Sequence, residues 1–571
     1  MLSRFVIAGL CLAHVAASAQ QTPILSARDI FHPVFARNGM VVTQEATASR
    51  VGLEILEQGG NAVDAAVAVG FALAVTLPRA GNLGGGGFML VHSARDGRTA
   101  AVDYREKAPR AATRDMYLDA EGEVDRQKAR FSHQAVGVPG TVAGLSLALE
   151  RFGTLPLRDV VAPAIRLAEE GIVVSRELAA SLRRRQERLA RWPATARIFL
   201  KTDGSPYRTG ERLVQKALAW SLRQIAEHGA SAFYTGPIGA RIAASMQSHG
   251  GLITREDLAA YQALVREPVR GTYRGYEIAS MPPPSSGGAH LVQMLNVLEG
   301  YPIASLGHNG ADTIHLMTET MKLAYADRSR HLGDPDFWDV PLEALTSEAY
   351  ARALRQRIDP RRATPSESIS PGAPAEVYES PDTTHFSVMD GAGNVVSNTY
   401  TINFSFGTGI VAEGTGILLN NEMDDFSAKP GVPNAYGLIG GEANAIEPGK
   451  RPLSSMTPTI VFKGGEPYLA TGTPGGSRII TTTMQIIMNV VDHGMNIAAA
   501  TAAPRFHHQW LPDILHVEQG FSPDTVALLR ARGHDIELSR AMGSTQSILR
   551  TPAGLFGAAD PRTPDARVAG Y

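Results

Sequence analysis

Thr383, in the run Glu379-Ser-Pro-Asp-Thr-Thr-His-Phe-Ser387, stands where a stretch with little tendency to fold gives way to a strand. A threonine hydroxyl is a weak nucleophile unless a base takes its proton, and an economical base is the residue's own α-amino group. That amine exists only once the chain is cut between Asp382 and Thr383. Its ordinary pKa, about 7.7 to 8.0, leaves much of it unprotonated near neutrality. The chemistry implied is a precursor that cleaves itself and so exposes a catalytic threonine. A threonine that merely opens a strand is the competing reading, and the surroundings must decide.

Hairpin register supplies the first test. Thr384 to Met389 and Val395 to Thr401 alternate as strands around the five-residue loop Asp390-Gly-Ala-Gly-Asn394. Pairing Met389 with Val395 sets Thr383 opposite Thr401, and opposed side chains on one face have β-carbons about 4.5 to 5.5 Å apart. The Thr401 hydroxyl then reaches and orients the Thr383 oxygen. Asn403, two residues further on, is expected on the same face. A slip of one residue would undo this arrangement. Against it stands the plainer reading of Thr401 as a good strand former.

Three motifs follow. Asn420-Asn-Glu-Met-Asp-Asp-Phe426 concentrates acceptors, and Glu422 and Asp425 suit a ligand ammonium group. A calcium loop competes, but the glycine and terminal glutamate of an EF-hand are missing. Arg451-Pro-Leu-Ser-Ser-Met456 offers two adjacent hydroxyls, also a common turn composition. Thr473-Pro-Gly-Gly-Ser-Arg478 lies between a strand and a helix starting at Ile479, where the amides of Gly475 and Gly476 suit a developing oxyanion. No Gly-x-Ser-x-Gly elbow and no His-Glu-x-x-His pair occurs. His507-His508 has no partner at metal-ligand spacing, so it reads as packing or hydrogen bonding. No metal is expected.

These residues need a scaffold. Helices are expected over Ala46 to Gln58 and Ala62 to Leu77, the second a buried core helix. Gly84-Gly-Gly-Gly87 leads into the strand Phe88 to Val91. No Gly-Lys-Ser/Thr follows, so the glycines read as a close backbone approach, not a phosphate cradle, and no cofactor is expected. The middle third, roughly residues 140 to 357, reads as helical with a β-like patch over Val269 to Ile278 and a helix over Ala289 to Leu298. Thr364 to Pro381, with four prolines, reads as a mobile, solvent-accessible tether ending just before Thr383. Beyond it, Ile417 to Asn420 is expected as a third strand, and Thr459 to Lys463 with Pro467 to Thr471 as a hairpin around Gly464-Gly465. Helices are expected over Ile479 to His493 and Pro523 to Arg532. The pattern is α+β, antiparallel sheet covered by helices.

Composition narrows the rest. With 54 basic against 56 acidic side chains, no footprint for nucleic acid or an anionic membrane appears. The basic cluster Arg183-Arg-Arg185 reads as the solvated face of a helix. Arg4, the short apolar run Phe5 to Ala17 and the small residues Ala17-Ser-Ala19 read as a cleaved signal peptide over residues 1–19, with an uncleaved anchor as the alternative. The expected mature chain starts at Gln20, is periplasmic or secreted, and has no stable membrane anchor. The only cysteine, Cys11, lies in that segment, which excludes disulfides and a cysteine nucleophile from the mature protein.

The motifs around Thr383, Asn420 to Phe426, Lys429-Pro-Gly-Val432, Arg451 to Met456, Gly475-Gly-Ser-Arg478, Pro504-Arg-Phe-His-His508 and Gly543-Ser-Thr-Gln-Ser547 together resemble γ-glutamyltranspeptidase. Gly81-Asn-Leu-Gly-Gly-Gly-Gly-Phe88 and Asp103-Tyr-Arg-Glu106 extend the resemblance into the first half, in matching order along essentially the whole mature chain. It implies an N-terminal-nucleophile hydrolase with a four-layer αββα sandwich. One precursor would give a large subunit, residues 20–382, and a small subunit, residues 383–571, which associate as a heterodimer.

By that resemblance Thr383 is both processing site and nucleophile, and Thr401 is its hydrogen-bonding partner. Arg105 takes the glutamyl α-carboxylate with Ser454 and Ser455, while Asn403, Glu422 and Asp425 hold the α-ammonium. Gly475 and Gly476 supply the oxyanion amides, and Pro430 to Gly441, with Tyr436, is a lid. The implied activity transfers the γ-glutamyl group of glutathione or a related compound, through a threonine ester, to water or to an amino acid or dipeptide. An aspartylglucosaminidase-like or cephalosporin-acylase-like enzyme would share the processed nucleophile. An exported, unprocessed binding protein for amino acids or peptides is the reading from another class.

Overall fold

The computed structural model describes residues 29–369 and 383–571. The expected signal peptide over residues 1–19, Asp382 and most of the expected tether lie outside the described residues. Two seven-stranded sheets, every neighbouring pair antiparallel, form the centre of the molecule. The first runs Arg567–Gly570, Gly39–Thr43, Thr384–Asp390, Val395–Thr401, Gly86–Ser93, Arg98–Tyr104, Leu264–Arg266. The second runs Val34–Ala36, Gly554–Ala559, Gln546–Thr551, Glu466–Thr471, Thr459–Lys463, Tyr276–Ser280, Val269–Tyr273.

Strand alternation builds the layers. Met40, Val42, Phe88 and Leu90 meet Ile460, Phe462, Ala470 and Ile548 between the sheets. Their neighbours Val41, Met89 and Val91 face the opposite way, into a core shared with the helices Ala46–Glu57, Ala62–Thr76 and Thr141–Phe152. On the far side, Ile278, Val461 and Leu469 pack with the helices Gly287–Leu298, Ala311–His331 and Arg478–Val491. Helix, sheet, sheet and helix follow one another, as expected.

Most expected elements are present with ends moved by a residue or two, including both helices of the first hundred residues. Asn61 caps the Ala62–Thr76 helix in a capping box with Asp64, which explains the sharp start after Gly59-Gly60. The glycine run approaches backbone as expected: a β-carbon on Gly84 or Gly85 would collide with the carbonyl oxygens of Leu418 or Thr401.

Three expectations need correction. Ile417 to Asn420 is not a strand; it makes only isolated bridges, Leu418 to Val411 and Leu419 to Gly84. Left-handed Gly407, Gly409, Gly414 and Gly416 fold its neighbours into loops, so its backbone bonds are scattered ones, and the Asn420 side chain adds to them, its Nδ2 donating to Gly84 O at 2.8 Å. The start of the tether, residues 364–369, is docked rather than mobile. Thr364 N–H donates to Glu319, Lys322 to Thr364 O, and Trp510 Nε1 to Ser366 O, at 3.0, 2.8 and 2.9 Å. Of the cluster expected as a solvated face, Arg183 and Arg184 in the helix Arg176–Ala190 are exposed, but Arg185 is half-buried, and nearby Arg188 turns inward, donating to Ser405 O and lying 5.0 Å from the Phe131 ring centre.

Gly85→Ala is expected to lower the unfolding free energy by about 1–3 kcal/mol, because the added methyl overpacks the Thr401 backbone. Denaturant titration of purified protein checks this; an unchanged midpoint would contradict the close approach.

Candidate functional site

Met389 faces Val395 and Thr384 faces Tyr400, so the hairpin has the expected register. Thr383, one residue beyond, donates its hydroxyl to Thr401 Oγ1 at 3.2 Å. Thr401 Oγ1 also accepts the Asn403 N–H at 2.8 Å, so both the backbone and Thr383 orient it. Both threonines are buried. The same strand faces carry His385, whose Nδ1 pairs with Thr399 Oγ1 at 2.8 Å, and Ser387, which donates to Gln546 O at 2.8 Å. Burial pushes the His385 imidazole down to about 3, so it is neutral; its bonds to Thr399 and Ser387 stay within the first sheet, and Ser387 makes the tie to the second.

Asn403 lines the same pocket, but not by strand alternation. The strand ends at Thr401, and Asn403 is left-handed with φ 67°. Its Nδ2 donates to Asn421 O at 3.0 Å, and its Oδ1 accepts from the Tyr436 hydroxyl. Tyr436 is buried against Phe404 and over Gly476, where a β-carbon would run into its ring. The segment expected as a lid thus lies over the pocket. Lys429 to Glu123 (2.9 Å) and Arg114 to Glu442 (2.6 Å) tie its flanks to the first half of the chain.

Gly476 lines the pocket at the start of the Arg478–Val491 helix. Gly475 and Gly476 have φ of 137° and 55°, conformations that exclude other residues at low cost and leave their amides outside the helix's own bonding. Ser454 and Ser455 line the pocket as well.

The charged wall is the main surprise. Arg105 is fully buried, its Nη1 pairing with Glu422 and its Nη2 with Asp425, while Nε donates to Pro452 O at 3.2 Å. The residue expected for a carboxylate and two expected for an ammonium are therefore paired with one another. Burial works against the Arg105 charge, but Glu422, Asp425 and Glu106 outweigh it and raise its pKa. Burial raises Glu106 to about 7 against the pull of Arg105, and raises Glu422 further above the usual carboxylate range. The next acid, Asp424, faces away; its Oδ1 accepts Arg130 Nε at 2.9 Å, and burial raises it to about 7.

Sequence reasoning missed Arg328, which also lines this pocket. It continues the buried stripe Met317, Met321, Ala324 of its helix. An arginine on the apolar stripe of an amphipathic helix was the available signal.

Elsewhere, His507 Nδ1 pairs with Thr481 Oγ1 at 2.9 Å and His508 Nε2 with Asp513 at 3.1 Å, the hydrogen-bonding role expected. His315, Glu319 and His534 form a buried group of metal-ligand types. Its atoms are occupied by protein: the imidazoles bond each other at 2.7 Å, His315 Nε2 meets Asp359 O at 2.7 Å, and Lys322 lies 3.2 Å from Glu319.

With this geometry in place, comparison with known proteins is direct. The profile of the family described as Gamma-glutamyltranspeptidase matches residues 48–570. The chain is 57% identical to a glutathione hydrolase proenzyme of Escherichia coli (strain K12), covering 99% of this chain and 98% of the relative. It is 42% identical to an acylase proenzyme, ACY 1, of Pseudomonas sp. (strain SE83), covering 92% of each. Among solved structures it resembles cephalosporin acylase from Bacillus halodurans, with TM-score 0.84, 32% identity and coverage of 98% of this chain and 99% of that one. Helicobacter pylori gamma-glutamyltranspeptidase matches with TM-score 0.56 and 47% identity, over 57% of this chain and 93% of that one.

Asp424 gives a pH test. Its folded pKa lies above the unfolded value of about 3.9, so its contribution is fully present below that value and is lost as pH rises through about 7. Relative to wild type, Asp424→Asn is therefore expected to gain stability, by about 1–4 kcal/mol, between pH 4 and pH 8. Urea unfolding across that range checks it; a difference independent of pH would contradict the raised pKa.

Proposed function

The chain belongs to the gamma-glutamyltranspeptidase family, and on that premise we propose how its residues act as a self-cleaving glutathione hydrolase and γ-glutamyl transferase. The observation that carries the reading is the 3.2 Å contact between the Thr383 and Thr401 hydroxyls at the open end of a hairpin, directly after the bond to be cut.

In maturation, Thr383 Oγ attacks the Asp382 carbonyl, an N-to-O acyl shift gives an ester, and water releases residues 383–571 with a free α-amine. That amine then serves as the base for its own hydroxyl. Thr383 attacks the γ-carbonyl of the donor, the Gly475 and Gly476 amides receive the oxyanion, and a γ-glutamyl ester forms as the amine leaves. Water yields glutamate; an amino acid or dipeptide amine yields a new γ-glutamyl compound.

Recognition of both α-groups explains the choice of the γ-linkage. The incoming ammonium takes Glu422, Asp425 and Asn403 Oδ1 as acceptors, which releases Arg105 donors to the α-carboxylate beside Ser454 and Ser455. The ion pairs of Arg105 with Glu422 and Asp425 thus mark the partners that the zwitterion would take over. Likeness to acylases favours a second reading, hydrolysis of a glutaryl amide. A glutaryl group has no ammonium for Glu422 and Asp425, so the γ-glutamyl anilide is the expected better substrate. The subunit boundaries, export through residues 1–19 and a periplasmic or secreted location belong to the same proposal. Among the described residues no helix is long and apolar enough to cross a membrane.

Two outcomes test these roles. Wild type is expected to separate on a denaturing gel into fragments of roughly 39 and 20 kDa, by mass scaled to residue count, and Thr383→Ala to remain one inactive band. A cleaved Thr383→Ala protein would refute the assignment. Arg105→Lys loses the planar fork and is expected to act mainly by raising KM for the γ-glutamyl donor; an unchanged KM would remove Arg105 from the carboxylate site.

A further inference from the structure

Two guanidinium groups reach the Thr383 pocket, and they differ in one respect. Arg105 has its charge balanced by Glu422 and Asp425. Arg328 does not. It is 5% exposed, and its Nε and Nη2 donate to Ser286 Oγ at 2.9 Å and Ser455 Oγ at 3.2 Å. Among the described residues no carboxylate forms an ion pair with it; the acid that acts on it from a distance is Asp425, already engaged by Arg105. Hydroxyls satisfy hydrogen bonds without supplying charge, and burial accordingly pulls its pKa down to about 10. A buried cation without a counter-charge is costly, and it is retained where a ligand brings the anion.

We propose that Arg328 is a substrate-binding residue that supplies the uncompensated positive charge for the α-carboxylate of the γ-glutamyl group. The inference rests on the γ-glutamyl reading above and assigns that charge to a residue outside the motifs that led to it. Ser455 Oγ accepts from Arg328 and Ser454 Oγ accepts from Met456 N at 3.1 Å, so each hydroxyl keeps its proton for donation to a carboxylate. The Nη1 hydrogens of Arg328 have no protein acceptor among the described residues, so they are available to the same group. The site then binds a zwitterion with charges matched in pairs: the ligand's ammonium against Glu422 and Asp425, its carboxylate against Arg328 and the donors released from Arg105. A ligand without the α-carboxylate leaves Arg328 buried and uncompensated, which makes it a determinant of specificity.

The test compares two anilides with the same leaving group, L-γ-glutamyl p-nitroanilide and 4-aminobutanoyl p-nitroanilide, which lacks only the α-carboxylate. Arg328→Gln is expected to lower kcat/KM for the γ-glutamyl anilide by about 10- to 100-fold, chiefly through KM. The preference for that anilide over the 4-aminobutanoyl one should fall by about tenfold or more. Arg328→Lys keeps the charge without the fork and should fall between wild type and Arg328→Gln; if Arg328→Gln does not mature, Arg328→Lys carries the comparison. Equal losses on both anilides would mean that Arg328 only supports the fold, and an undiminished preference would mean that it does not meet the carboxylate; either overturns the proposal. A wild type that shows no preference for the γ-glutamyl anilide would instead strike the γ-glutamyl reading, and this proposal with it.

Discussion

The register of one hairpin decides whether Thr383 and Thr401 meet, and the rest of the site is assembled around that pair. Because Met389 pairs with Val395, Thr383 falls opposite Thr401 and both hydroxyls face the space between the sheets. The register is held from several sides. Asp390 accepts from Asn394 N at 2.9 Å across the turn and from Ala62 N at 2.9 Å, tying the loop to the core helix. Ser387 and Ser397 bond to the second sheet, through Gln546 O and Thr471 O. A one-residue slip would bury the polar face against the helices and expose the site to the wrong layer. Thr383 and Thr401 are thus held by a hairpin bonded to the core helix and to the second sheet, as the proposed nucleophile, which must meet two different carbonyls, requires.

Around that hairpin the pocket is a problem in charge balance. Arg105, Glu106, Glu422 and Asp425 are brought together in a buried wall, and Arg328 lines the same pocket. Glu106 and Glu422 interact, and burial raises both, so the pair holds on to a proton that separate surface carboxylates would lose. Arg105 and its acids pair with one another, and the proposed zwitterion would take over those pairs while bringing Arg328 its anion. Such exchange favours a ligand carrying both charges over one carrying either alone.

The sequence exposed the local features and hid the convergent ones. The hairpin was legible because a five-residue loop between alternating strands leaves little freedom in pairing. The helices around Gly59-Gly60 were legible because capping and breaking residues mark their ends. Asn403 reaches the pocket through a left-handed turn after the strand has ended, which periodicity cannot see. Ile417 to Asn420 has strand composition, but its partners are distant loops and the Asn420 side chain. Pairing of Arg105 with Glu422 joins residues more than three hundred positions apart, and Arg328 enters from a distant helix buried over most of its length. Residue types forecast what each group can do; only the fold tells which groups meet.

The account depends on a backbone bond being broken by the hydroxyl beside it, with the liberated amine as the working base. N-terminal sequencing of active protein, paired with its intact masses, tests that directly. The expected result is a second N-terminus at Thr383, in amounts that track activity. Fully active material whose only N-terminus lies upstream, with Thr383 still internal, would contradict it.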